Sequence, residues 1–92
     1  MVHYIVHAKN DTVGVAVVDV KASQRLIGWN MERDSTLGMQ AAQKIPLGHK
    51  IAVTNIAKGA AAIKYGAAIG NATRDIKKGQ HVHTHNLRTA RW

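Results

Sequence analysis

Apolar and polar positions alternate at the start of the chain as they do along a strand. Val2, Tyr4 and Val6 fall on one face, and His3, Ile5 and His7 on the other. Lys9-Asn10-Asp11 reads as a turn, and Val13-Gly14-Val15-Ala16-Val17-Val18 as a second β-rich run interrupted only by its glycine. The two runs predict a hairpin, with Gly14 at a bulge. Trp29 to Asp34 fits a strand and turn, and Ser35 to Lys44 a short helical turn. Residues 60–72 are rich in alanine, the best helix former, yet Gly66 and Gly70 would each cost a helix about 1 kcal/mol. Two short strands meeting near Gly66 fit better. The expected fold is mainly β with one short helix, a single domain over residues 1–92 without a linker.

A weak repeat organises the remainder. An aliphatic residue is followed three positions later by Gly or Ser in Val20-Lys21-Ala22-Ser23, Ile45-Pro46-Leu47-Gly48, Ile56-Ala57-Lys58-Gly59 and Ile76-Lys77-Lys78-Gly79. Three copies are preceded by Asp19, Asn55 and Asp75, side chains that bind nearby backbone N–H groups in turns. The glycines can supply positive φ. The intervals are too irregular for a solenoid, so the repeat reads as recurring turn chemistry in a small β domain.

Composition narrows the class. With 92 residues, no Phe and only 4 % aromatics, a core must be assembled from Val, Ile, Leu and Ala. The absence of Cys excludes a disulfide framework, a thiolate zinc site and a cysteine nucleophile. No apolar run approaches the roughly 20 residues that span a bilayer. The first residues also lack the pattern of a secretory signal, so a soluble cytoplasmic protein is expected. Charge is unevenly placed. Residues 1–43 hold four basic groups and four acidic ones, whereas residues 44–92 hold nine basic groups against Asp75 alone. The net +8 therefore lies in one half and points to an anionic partner. Nucleic acid fits poorly, because the two Tyr and two Trp do not interleave with the basic residues and no recognition module is present.

The strongest chemical signal is Gln80-His81-Val82-His83-Thr84-His85-Asn86. In an extended segment His81, His83 and His85 share one face, with neighbours roughly 7 Å apart. Imidazole suits Fe, Zn, Cu and Ni, and the plain alternative is a solvated polar strand. His49, in Gly48-His49-Lys50, is either a further imidazole of the site or a surface turn residue. Lys64, in Lys64-Tyr65-Gly66, either extends along an apolar face or binds an anion. Arg74, Lys77, Lys78, Arg88 and Arg91 read as solvated charges. No phosphate-binding loop, dinucleotide fingerprint or nucleophile elbow is present, and five dispersed acids do not suggest a carboxylate pair.

The segments Gly48-His49-Lys50-Ile51-Ala52, Asn55-Ile56-Ala57-Lys58-Gly59, Ile63-Lys64-Tyr65-Gly66, Ile69-Gly70 and Gly79 to Asn86 resemble, in order and spacing, the N-terminal domain of the altronate dehydratases. That family includes galactarate dehydratase and the sulfolactate sulfo-lyases. His7 and Val13 to Val17 extend the resemblance, while residues 23–43 match weakly and carry nothing functional. The resemblance implies an SAF domain of β-clip fold and β-elimination on an anionic 2-hydroxy acid. Sulfite leaves in the sulfo-lyase branch, and water leaves a sugar acid in the dehydratase branch. It further implies iron(II), with His81, His83 and His85 as ligands and Asn86 orienting metal or substrate. His49, Lys64 and His85 are then candidates for proton transfer or anion binding. Because the sequence ends just after the motif, a separate small (alpha) subunit is expected. It resembles the sulfo-lyase small subunit more than a dehydratase one, and would be inactive without a large catalytic (beta) subunit.

Overall fold

The structure, a computed structural model, describes residues 1–89. Among these residues nine short strands run in order: β1 Tyr4–Val6, β2 Val13–Ala16, β3 Arg25–Asn30, β4 Ser35–Gln40, β5 Lys50–Ala52, β6 Ala61–Lys64, β7 Ala67–Ala72, β8 His81–Val82 and β9 Leu87–Thr89. They form a six-stranded sheet of order β4-β3-β1-β2-β5-β8 and a three-stranded sheet β6-β7-β9. All pairings are antiparallel except that of β1 with β3.

The repeat builds the fold. Val20 and Ile45 form one antiparallel bridge and Ile56 and Ile76 another, each with reciprocal backbone hydrogen bonds of 2.8–3.0 Å. All four aliphatic side chains are buried. Ser23, Gly48, Gly59 and Gly79 all have positive φ, at 66°, 87°, 86° and 90°. Each N–H at these positions donates to an alanine carbonyl in the opposing copy: Ser23 to Ala41, Gly48 to Ala16, Gly59 to Ala72 and Gly79 to Ala52. A positive φ at the third residue and a 3.2 Å or shorter bond from the fourth N–H back to the first carbonyl define a type II turn in every copy. The repeat is thus longer than it reads: Ala-x-x-(Asp/Asn/Lys)-aliphatic-x-x-(Gly/Ser), with the alanine buried in every copy.

Each bridge closes one core. Val20 and Ile45 pack with Tyr4, Leu26, Met39 and Ile51 on one face of the large sheet. Ile56 and Ile76 pack with Val13, Ala62, Ala72 and Val82 between the two sheets. Among the described residues Tyr4 is the one aromatic side chain of the buried hydrophobics.

The hairpin of β1 and β2 and the two strands meeting at Tyr65-Gly66 are present, the latter joined by two residues of positive φ, a type I′ turn. Three expectations are corrected. Ser35 to Lys44 holds no helix: Ser35–Gln40 is strand β4, paired with β3 over its whole length. Long-range pairing there outweighs local preference, because Leu37 and Met39 turn inward onto the first core. Gly14 makes no bulge; it pairs in register with Ile51, and a Cβ would lie 2.8 Å from the Ile5 carbonyl oxygen. The irregularity lies instead at Ala62/Ile63. Finally, the histidine segment is extended only at His81 and Val82, after which the chain turns.

Tyr4 also sets a test of the packing. A Cβ on Gly28 would stand 2.1 Å from the Tyr4 ring, so the ring occupies the space that glycine leaves. Burial pushes the Tyr4 phenol up to about 12. Gly28→Ala is expected to destabilise the domain by about 1–3 kcal/mol, read from urea denaturation. Tyr4→Leu in the same background, by vacating the space, should recover part of that loss.

Candidate metal centre

Strand pairing brings the histidines together. Ile51 of β5 lies opposite His81 of β8, and Lys50 opposite Val82. Continuing this register by one residue sets His49 beside His83. His49 also closes the second repeat turn: its N–H donates to the Pro46 carbonyl, and its own carbonyl accepts from Ala16. One ring nitrogen from each of His49, His81 and His83 lies within 4.8 Å of the others. His49 Nδ1 and His81 Nε2 are 2.9 Å apart, one nitrogen donating its proton to the other. The His81 and His83 rings stack at 5.4 Å with an interplanar angle of 9°, and the His49 ring stands 4.8 Å from His83. The ring of His85 lies 5.4 Å from His81, at the margin of the group.

The spacing of the segment grouped His81, His83 and His85; the fold gathers His49, His81 and His83 instead. Asn86 explains the difference. Buried, it accepts the His83 N–H at Oδ1 (2.9 Å) and donates from Nδ2 to the His81 carbonyl (2.7 Å). This side-chain turn ends β8 and redirects His85. Its amide thus holds the backbone that carries the imidazoles. Gln43, which the sequence did not single out, receives the His81 N–H at 2.9 Å and fixes the same strand from the other side.

Burial, then the neighbouring His49, His85 and His83, lower the His81 pKa below the ordinary imidazole value near 6.5. A neutral imidazole is the form that binds a metal. The donor set fits iron(II) or another first-row ion that accepts imidazole nitrogen. Two nitrogens bound side by side at ~2.1 Å from one ion would be roughly 3 Å apart, close to the His49–His81 separation. Three protein donors leave further positions for other ligands.

Lys64 is not brought to this group. It sits on the β6–β7 hairpin, whose Ile63 bonds Thr12, while His49 bonds Ala16; the two occupy opposite ends of β2. The Lys64 ammonium lies 4.2 Å over the Tyr65 ring. Tyr65 Oη meets His7 Nε2 at 3.2 Å, and buried Asp11 accepts the N–H groups of Tyr65 and Gly66 at 2.9 Å each. Asp11, read from sequence only as a turn residue, is the anchor of that hairpin. Arg74, Lys77, Lys78 and Arg88 are exposed, and Arg91 lies outside the described residues.

Residues 2–90 match the altronate/galactarate dehydratase SAF domain. The chain belongs to that family. It is 44 % identical to the (2R)-sulfolactate sulfo-lyase subunit alpha of Chromohalobacter salexigens over 99 % of this chain and 98 % of that protein. A protein of the same name from Paracoccus pantotrophus is 42 % identical over 64 % of this chain and 88 % of its own length. The altronate dehydratase of Escherichia coli is 60 % identical over 51 % of this chain, a match that spans 10 % of that enzyme. The match thus spans nearly all of the first relative, most of the second and a small part of the third. No helix among the described residues is long and apolar enough to cross a membrane.

Protonation of the cluster is measurable. Because the folded state holds His81 below its unfolded pKa, acidification protonates the unfolded chain first. Metal-free domain stability is expected to fall as pH drops below about 6.5, until the folded His81 also titrates. Urea denaturation from pH 8 to 5 should show this loss, and His81→Asn should reduce it.

Proposed function

We propose that this chain is the small subunit of a lyase that performs β-elimination on an anionic 2-hydroxy acid, and that the substrate is (2R)-3-sulfolactate. The observation that carries the reading is the end-to-end 44 % identity to a sulfo-lyase subunit alpha of nearly the same length. In the reaction the C2 proton is removed and the C3–S bond breaks. Sulfite departs with the bonding pair, and the enolpyruvate left behind tautomerises to pyruvate. A large subunit completes the site, and the small subunit is inactive without it. A 10 kDa domain with five dispersed acids holds too few groups for the whole reaction.

In this reading His49, His81 and His83 hold an iron(II) ion. The ion, when bound, polarises substrate oxygens and stabilises the charge that develops as the C2 proton leaves. Asn86 and Gln43 keep the imidazoles in place through the backbone, and His85, whose ring lies 5.4 Å from that of His81, moves a proton. Lys64 serves the anionic groups of the substrate or partner at the other end of β2, with no share in the ligand set. The excess of basic groups in residues 44–92 suits an anionic substrate and an acidic partner surface rather than nucleic acid. The reading places the enzyme in the cytoplasm, with which a cysteine-free chain is compatible.

The 60 % identity to an altronate dehydratase over 47 residues supports a second reading, in which the same geometry serves loss of water from a sugar acid. Co-expression with the large subunit and assay with iron(II) separates the two. Sulfite from sulfolactate is the expected product; a 2-keto-3-deoxy acid from altronate or galactarate would select the dehydratase, and neither product would refute both. In the assembled enzyme, replacing His81 or His83 by Ala should lower turnover and iron content together, by roughly two orders of magnitude in turnover.

A further inference from the structure

The four repeat turns share the same set of pairing backbone bonds, and three of them share a further side-chain bond. In three of them the residue before the aliphatic position accepts an N–H from the opposing turn. Asp19 Oδ1 takes Leu47 N–H at 2.9 Å, Asp75 Oδ1 takes Lys58 N–H at 2.8 Å, and Asn55 Oδ1 takes Lys78 N–H at 2.9 Å. The fourth bond of this set would run from Ala22 N–H to residue 44. Residue 44 is Lys, which has donors and no acceptor. Among the described residues nothing accepts from Ala22 N–H, although the other N–H groups of that turn are taken. Lys21 donates to Gln24 Oε1, Ser23 to Ala41 and Gln24 to Lys21.

The position that an Asp or Asn acceptor holds in the other three turns is thus taken here by a lysine, and the Ala22 N–H lacks that partner. It opens onto a hollow of about 630 Å³ lined by Asp19, Val20, Lys21, Ala22, Lys44 and Pro46. Val20 and Pro46 give the hollow an apolar floor. Lys21 and Lys44 outweigh Asp19, whose Oδ1 is already committed to Leu47. We propose that this incomplete turn is a carboxylate-receiving notch: an Asp or Glu side chain of the large partner subunit enters the hollow and takes the place of the missing turn acid, bonding Ala22 N–H and Lys44. The inference rests on the reading above that a large subunit exists. Charge complementarity favours that occupant, since the half of the chain that includes Lys44 carries the whole net +8. A charge-assisted pair of donors is also the kind of contact that fixes register at a subunit interface.

The variant Lys44→Asp tests this, because it fills the notch from within. The acid would complete the fourth turn and raise the melting temperature of the isolated small subunit by about 4 °C. The same change would deny the notch to the partner and weaken assembly with the large subunit about tenfold or more, read as the dissociation constant at fixed ionic strength. Lys77→Asp makes an equal charge change outside the notch and should leave that constant within about twofold. Lys44→Asp that assembles as tightly as the unaltered chain would overturn the notch while leaving the proposed function intact. Equal weakening by Lys77→Asp would overturn it too, by showing a response to net charge alone. Failure of the unaltered chain to assemble at all would refute the reading on which the proposal rests.

Discussion

The reciprocal pairing of turns is the interaction on which the rest of the structure depends. Val20 with Ile45, and Ile56 with Ile76, bury four aliphatic side chains while satisfying the backbone around them in both directions. Each buried Val or Ile is worth about 1.5–3 kcal/mol, a large fraction of the stability of a small domain whose strands have two to six residues. Such strands cannot hold a register by themselves. Where the turns are pinned, the strands that leave them are pinned as well. The imidazole group follows directly: His49 is the residue after the Gly48 of one turn, and His81 lies two residues after the Gly79 of another.

Much of this was legible in the sequence, and for identifiable reasons. The alternation at residues 2–7 and the turn residues at 9–11 report a half-buried hairpin, and that is what forms. The repeat was visible because its aliphatic and glycine positions are chemically narrow. Its partners were not, since nothing local tells Val20 to meet Ile45 rather than Ile56. The buried alanines at 16, 41, 52 and 72 escaped notice because alanine is common in this chain and signals little alone. Residues 35–40 misled for the opposite reason: Ser-Thr-Leu-Gly-Met-Gln has no strong period, and only pairing with β3 makes it a strand.

The candidate site divides in the same way. The residue types were readable, because clustered histidines next to an Asn are unusual in so small a domain. Their grouping was not. A period of two presumes an extended segment, whereas Asn86 folds the chain back after Val82 and uses its own amide to do so. His49 entered through a strand pairing 32 residues distant in sequence. Lys64, named in the same family pattern, lies on a hairpin at the other end of β2. Small size and a one-sided charge are coherent with the role proposed above for a domain that works with a partner subunit.

The central claim is that His49, His81 and His83 form one preassembled ligand set. Imidazole NMR of this chain, titrated with zinc(II) as a diamagnetic ion that imidazole also binds, tests it most directly. The account predicts that the ring signals of His49, His81 and His83 shift together and saturate at one ion per chain, while those of His3 and His7 stay in place. Joint shifts of His81, His83 and His85 without His49, or no saturable shift at all, would contradict it.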